Sequence, residues 1–338
     1  MSAWVEGMRR VYRAPAIVAA MWLLTVAATL PLALTMHGMI VHQLGSSLMA
    51  DAAARGVDYE WLQEFSAQAT GIGTTLKPDV IGFGAVLDNL SAFADRTPRP
   101  VAIVCAAASY VMLWIFLAGG IIDRYARDRP THAYGFFSAC GGFLVRFVRL
   151  GVVMAIVYGF LFGWMHPWLF DRLYPRMIHD VHVERTAFFV RLALYAVFFV
   201  VVAGCNLIFD YAKVRAVVED RRSMLGAIAA AIRFIGSHYA AAVSLYVADV
   251  LLFVLAMAAY ALLAPASGGA GPMVWVAFAI GQCYIVGRLW VKLVFWASET
   301  ALFQSRLAHA GYVAAPLPTW PDSPEAEAIG RITPQPTP

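Results

Sequence analysis

Residues 239–263 read YAAAVSLYVADVLLFVLAMAAYALL, and after a short connection residues 272–296 read PMVWVAFAIGQCYIVGRLWVKLVFW. The first stretch holds a single charged side chain, Asp249, and the second holds two, Arg288 and Lys292. A helix rises ~1.5 Å per residue, so about 20 apolar residues cross the ~30 Å hydrocarbon core of a bilayer. Both stretches are long enough, and they decide the fold class. Working outward from this hairpin, residues 15–40, 101–122, 150–170 and 187–209 have the same character. The first is longer than the roughly 7–15-residue apolar core of a secretory signal and lacks a small-residue cleavage site after it, so it reads as an uncleaved span. The expectation is an all-α polytopic membrane protein with six transmembrane helices.

Composition agrees. Hydrophobic residues make up 61% of the chain and charged residues only 14%, against roughly 25% charged in a soluble domain. The net charge of +4 is confined to particular connections, which argues against nucleic-acid binding. Cys105, Cys140, Cys205 and Cys283 lie in apolar runs or in connections assigned to the cytoplasmic side, so no disulfide framework is expected.

Lysine and arginine resist translocation and therefore orient the spans. Arg9, Arg10 and Arg13 precede span one. Arg124, Arg127, Arg129, Arg146 and Arg149 lie between spans two and three, and Lys213, Arg215, Arg221, Arg222 and Arg233 between spans four and five. Residues 41–99 hold four Lys/Arg against seven Asp/Glu, and residues 264–271 hold none of either. Both termini are accordingly placed in the cytoplasm.

The basic connections share a pattern. Arg10-Val11-Tyr12-Arg13, Arg146-Phe147-Val148-Arg149 and Arg233-Phe234-Ile235-Gly236 each stand directly before an odd-numbered span. They read as amphipathic elbows; in the third, Leu225, Ile228, Ile232 and Ile235 recur at helical spacing. Arg10, Arg13, Arg146, Arg149 and Arg233 are the expected contacts to anionic lipid headgroups. The ends of the even spans match as well: Asp123-Arg124-Tyr125-Ala126-Arg127, Asp210-Tyr211-Ala212-Lys213 and Trp296-Ala297-Ser298-Glu299. From elbow arginine to end aromatic the second and third units measure 65 and 63 residues, and the first 115. This predicts a threefold internal repeat of elbow-led hairpins, with an insertion of about fifty residues in the first. Residues 41–99 carry that insertion. The runs Tyr59, Trp61, Leu62, Phe65 and Phe83, Val86, Leu87, Leu90, Phe93 predict a small helical cap on the extracytoplasmic face. Residues 1–310 form the membrane domain, and residues 311–338, with seven prolines, read as a disordered cytoplasmic tail.

Ionisable groups inside a span cost about 2.5–3.5 kcal/mol each on insertion scales and mark sites worth explaining. Asp249 lies ten residues into span five and Arg288 eight residues before the end of span six. Their similar depth in adjacent antiparallel helices predicts an ion pair. Gly281, Tyr284, Arg288, Lys292, Phe295 and Glu299 fall on one stripe of span six, and Lys292 is placed to reach Asp210 or to snorkel toward the interface. Asp249, Arg288, Lys292, Asp210 and Glu299 thus form the expected intramembrane polar network. His179 and His182, beside Asp180 and Glu184, would present two imidazoles at i, i+3 on a helix, a low-order metal site. Neither a nucleophile elbow, nor a nucleotide loop, nor a zinc-protease helix is present, and no enzyme chemistry or cofactor is expected.

Taken together, the six spans, the elbows and the Asp210-Tyr211-Ala212-Lys213 run resemble uncharacterised bacterial six-helix integral membrane proteins, distantly like the membrane domain of glycerophosphodiester phosphodiesterases. The resembling stretches are Gly119-Gly120-Ile121-Ile122, the aromatic elbow at 136–147, and residues 210–218; with the spans they cover most of residues 1–300. The resemblance implies a bacterial cytoplasmic-membrane protein of unassigned activity. The tail is too short for the phosphodiesterase domain, so no catalytic residue carries over. Three functions compete: a small permease or lipid-handling protein using the span-six stripe, a non-catalytic scaffold or partner subunit of a larger complex, and an outer-face metal or pH sensor. Membrane lipids are the one class of partner named by the residues; protein partners and oligomeric state are left open.

Overall fold

The computed structural model describes residues 2–45, 47, 49–55, 58–77, 82–264 and 272–306; the proline-rich tail expected at 311–338 lies outside them. Among the described residues the chain is helical, with no strand. Six helices are long and apolar enough to cross a membrane: α2 (Pro15–Leu44), α6 (Val101–Arg127), α7 (Ala133–Phe160, prolonged to Ile178), α9 (Glu184–Val218), α11 (Tyr239–Leu263) and α12 (Pro272–Arg306). The protein is a multi-pass helical membrane protein. Six crossings put Ser2 and Arg306 on the same side, called here the terminal side; the other is the far side.

Two elbows are separate helices. α1 (Ala3–Tyr12) ends two residues before Pro15 opens α2, and α10 (Met224–Ser237) is divided from α11 at His238. Proline suits the first turn of α2, where an N–H has no intrahelical acceptor in any case. The middle elbow differs from expectation. α7 runs without a break through Arg146–Arg149, because that stretch holds neither proline nor glycine, and the Gly141-Gly142 pair before it stands inside a helix whose apolar neighbours pack on α6. Beyond Phe160 the helix continues in wider π turns at Leu161–Met165 and Trp168–Leu173, on either side of Pro167, before the short α8 (Tyr174–Ile178). Proline lacks the N–H and crowds the preceding turn, and a π bulge is one way to absorb it.

The core sits at the terminal side. There the ends of α6, α9 and α12 converge, and Tyr125, Ala126, Tyr211, Ala212, Trp296 and Ala297 are all buried. Each elbow lies against the end of one of these helices: α1 on α12, the first half of α7 on α6, and α10 on α9. Small residues permit the close approach. A Cβ on Gly7 would stand 2.6 Å from the Ser298 backbone, and one on Gly120 would stand 2.5 Å from Cys140 Sγ. α10 turns Ala227, Ala230, Ala231 and Phe234 inward, while Leu225 and Ile232 remain exposed. Of the aliphatic stripe read from the sequence, Leu225 and Ile232 face away from the protein and Ile228 and Ile235 flank the core, while alanines make the packed face.

At the far side, the insertion forms α3 (Ala50–Arg55), α4 (Tyr59–Gln68), a 3-10 turn at Gly71–Thr75 and α5 (Phe83–Asp95). Asp58 caps α4 by accepting from the Trp61 N–H at 2.9 Å. Leu62, Phe65 and Ile72 are buried beneath it. α5 is held to the spans at its end. His166 Nε2 meets the Ala94 carbonyl at 2.7 Å, Phe93 packs edge-on to Phe162, and Asp95 accepts from the Tyr195 hydroxyl.

The crossing of α1 over α12 depends on Gly7 having no side chain. Gly7→Leu is expected to destabilise the protein by about 1–3 kcal/mol, the usual cost of overpacking, seen as a lower thermal midpoint in detergent. Gly142→Leu, at a position with no heavy atom within 4 Å of its Cβ, is the control that leaves the midpoint unchanged.

Candidate functional site

The ionisable residues expected inside the membrane fall into two buried groups, one isolated buried carboxyl and one exposed cation. The first group centres on Asp249, which is fully buried on α11. The predicted pairing with Arg288 does not form. Asp249 accepts instead from Trp4 Nε1 on α1 at 3.1 Å and from Ser298 Oγ on α12 at 2.9 Å. Helix register explains the difference. Tyr246 faces Phe295 and Tyr260 stacks on Tyr284 at 4.2 Å, which sets Arg288 opposite the stretch between those two tyrosines, well past Asp249. α12 runs ten residues beyond the hydropathy limit at 296, so a depth counted from that limit places its residues wrongly. α1 supplies the missing donor.

The second group centres on Asp210, also fully buried, at the terminal-side end of α9. It is ion-paired with Lys213 one turn later and accepts from Asn206 Nδ2 at 2.9 Å and Trp296 Nε1 at 3.3 Å. Asn206 also donates to the Tyr246 hydroxyl at 3.2 Å. Lys292 is not ion-paired with Asp210. Its Nζ lies 5.1 Å from the centre of the Trp296 ring, and Lys213 Nζ lies at the same distance. The indole thus interacts with two ammonium groups through its π system and with a carboxylate through its N–H. Cation–π contacts are worth about 0.5–1 kcal/mol when exposed and about 2 or more when desolvated.

Glu299 lies between these groups and belongs to neither. It is 1% exposed, and neither carboxyl oxygen has a hydrogen-bond partner. Asp210, Lys213, Asp249 and Lys292 all act on it electrostatically. The Tyr211 hydroxyl nearby is likewise buried without a partner. Most buried polar atoms in folded proteins are satisfied, and among the described residues Glu299 is the side chain with two such atoms left without a partner.

Arg288 is the exposed cation. It lies on the bundle surface within α12, and among the described residues no carboxylate stands within ion-pairing distance of it. The one side chain whose electrostatic interaction with Arg288 is resolved is the stacked Tyr284. The stripe expected on α12 is therefore divided by depth: Glu299 sealed, Lys292 half-buried, Arg288 open.

The five arginines assigned to headgroups divide in the same way. Arg10 is buried, binding Glu6, the Tyr125 carbonyl at 2.9 Å and Gln304 Oε1 at 2.8 Å. This corrects its assignment to lipid; it locks α1 to the ends of α6 and α12. Arg13 pairs with Asp128 at 2.9 Å, and Arg146 with Asp220. These two aspartates hold matching places just after α6 and α9, both with left-handed backbones (φ 46° and 48°), a conformation that Asp tolerates better than most residues. Arg149 and Arg233 stay exposed, with no protein partner among the described residues. Burial works against the Glu6 carboxylate, yet hydrogen bonds from Arg9 and Arg10 and their charges prevail and hold it below its ordinary range.

His179 and His182 do not share a helical face. They lie in the turn between α8 and α9, with His179 bonded to Asp180 at 2.8 Å. Among the described residues no group of three potential ligands comes together. The i, i+3 geometry required a helix that does not begin until Glu184.

Trp4, Ser298, Asn206, Lys213 and Tyr246 were absent from the sequence-based site. Only Lys213 carried a local signal, its three-residue spacing from Asp210. No protein-family model, curated protein or solved structure matches this chain.

Two outcomes test this description. Asp249→Leu strands the Trp4 donor and should cost about 1–3 kcal/mol of stability, while Glu299→Met, which removes a buried carboxyl without donors, should leave stability unchanged or raise it; thermal midpoints of the purified variants decide. For Glu6 the folded value is depressed, so its contribution is present above the unfolded carboxylate value and is lost as pH falls through the folded one. Glu6→Gln should flatten the acid limb of a pH–stability curve.

Proposed function

We propose that this chain is a non-catalytic, lipid-handling protein of the bacterial cytoplasmic membrane that binds an anionic lipid headgroup at Arg288. One observation carries the reading: Arg288 is exposed within a membrane-crossing helix and has no carboxylate partner among the described residues. A charge at that depth is costly, and such groups pair with an anion or face water. A lipid phosphate is the anion that the surroundings supply, and arginine binds phosphate in bidentate geometry. Lys292, one turn nearer the terminal side and half-buried, adds positive potential on the same stripe.

The excess of Arg and Lys in the terminal-side connections supports a cytoplasmic location for both ends. The exposed Leu225 and Ile232 of α10, with Arg149 and Arg233 free, support elbows lying in the headgroup layer. The cyclic docking of α1, α7 and α10 and the matched Arg13–Asp128 and Arg146–Asp220 pairs support three repeated hairpin units. Kinship with the membrane domain of glycerophosphodiester phosphodiesterases remains part of this proposal, resting on the short stretches quoted above. A scaffold reading has its own support in the Asp210–Lys213–Trp296 group, whose partners are all within the protein and which holds α9 against α12.

Retention of phosphatidylglycerol against phosphatidylethanolamine, measured by native mass spectrometry after exchange into mixed nanodiscs, separates the two. Arg288→Leu should reduce the retained anionic lipid about tenfold or more, in line with the ~1.5–3 kcal/mol of a hydrogen bond to a charged group, with an unchanged thermal midpoint; Arg288→Lys should retain part of it. Wild-type retention in Arg288→Leu would leave the scaffold reading in place.

A further inference from the structure

On the flank of α12 opposite to Arg288, a cleft opens between α2 and α12. It has a volume of about 610 Å³ and is walled by Val18 and Trp22 on one side and Cys283, Val286, Gly287 and Trp290 on the other. A second lobe of about 380 Å³ continues it toward Val11 and Pro15. Tyr12, at the end of α1, stands at its terminal-side mouth and packs edge-on to Trp290 at 6.2 Å.

Three features define what fits there. The first is length. On α2 the wall rises from Pro15 to Trp22, seven residues or about 10 Å of helix, and on α12 from Trp290 to Gln282, eight residues or about 12 Å. The cleft therefore lies within one leaflet of a ~30 Å hydrocarbon core and opens at the level where α1 gives way to α2. The second is chemistry. Its upper end is closed by Trp22 Nε1 donating to Gln282 Oε1 at 2.9 Å, so the indole N–H is satisfied within the protein and the wall below that pair is hydrocarbon and aromatic. The third is openness. No heavy atom lies within 4 Å of the place where a Gly287 Cβ would stand, so the absence of a side chain at Gly287 keeps the wall clear without serving helix packing.

We propose that this cleft seats one acyl chain of a phospholipid from the terminal-side leaflet. The cleft fits within a single leaflet, the lining is apolar apart from the Trp22–Gln282 pair, and both walls belong to membrane-crossing helices, so phospholipid hydrocarbon is the medium at its mouth. Trp22 and Trp290 supply broad rigid faces for a chain to lie against, and the aromatic ring of Tyr12 sits where the chain would meet the glycerol region, the level at which aromatic side chains concentrate in membranes. The inference depends on the six crossings and not on Arg288, which faces the other way.

The test is native mass spectrometry of the protein released from lipid nanodiscs of phosphatidylethanolamine and phosphatidylglycerol, with the number and mass of retained adducts read for each variant. Besides any anionic lipid held at Arg288, the wild type should hold one phospholipid-mass adduct of either headgroup, which Gly287→Trp reduces at least tenfold without a change in thermal midpoint. Cys283→Trp, filling the same wall one turn away, should repeat the result and guards against misfolding of the first variant. Gly142→Trp, at an open position on α7, should retain the adduct. Arg288→Leu should retain it too, losing only the preference for anionic lipid, so failure of this inference and failure of the headgroup reading give different patterns. An adduct undiminished in both blocking variants overturns the proposal. So does an adduct with the mass of a free fatty acid, or a dimer in the wild type that Gly287→Trp dissociates.

Discussion

A carboxylate taken out of water must be met by donors, and in this bundle the Asp249 carboxylate draws three helices to one point. Its partners come from α1 and α12, elements separated by most of the chain, and neither could supply both bonds alone. Within one turn of Trp4 stands Gly7, where α1 presses against the Ser298 backbone. One turn beyond is Arg10, which closes the same junction by binding the ends of α6 and α12. A tryptophan donor, a glycine and a buried arginine on successive turns make α1 part of the core instead of a surface elbow. Hydrophobic association is weak between helices in lipid, so close packing of small residues and hydrogen bonds between helices carry much of the specificity.

The same logic accounts for the uneven density of the protein. The terminal-side ends of α6, α9 and α12 converge and are closely packed, whereas the far-side halves present Leu251, Leu255, Val200 and Trp275 outward. Polar groups are gathered where the packing is tight, around Asp210, Lys213 and Trp296; Asp210 is fully engaged there, while Glu299 and the hydroxyls of Tyr125 and Tyr211 have no hydrogen-bond partner among the described residues. Arg288 lies beyond this region, on the surface and unpaired. The contrast between a satisfied interior and an unsatisfied surface cation is what separates structural charge from charge available to a ligand. The cleft beside Trp22 and Gly287 lies on the opposite flank of α12, so the helix presents an apolar seat on one side and a cation on the other.

Periodicity and hydropathy made the six crossings, the separate first and third elbows, the cap helices and the matched ends of the even spans legible without coordinates. These rest on local constraints: a span needs a certain run of apolar residues, and a helix end needs a breaker or a cap. The continuous α7 was not legible, because basic residues before a span look alike whether or not the helix bends there. The aliphatic stripe of α10 was legible as a pattern, but the alanine face that packs on the protein was not, since alanines at helical spacing give no hydropathy signal strong enough to compete with leucine and isoleucine.

The six membrane crossings were determined by sequence alone, since apolar length against bilayer thickness is a property of each segment by itself. Which charges meet was decided only in the tertiary structure. Asp249 and Arg288 have similar depth by counting, but α12 continues ten residues past its apolar limit, the hairpin register shifts accordingly, and Trp4 arrives from the far end of the chain. A register offset and a long-range donor leave no local trace, which is why the crossing helices could be read one by one and their partners could not.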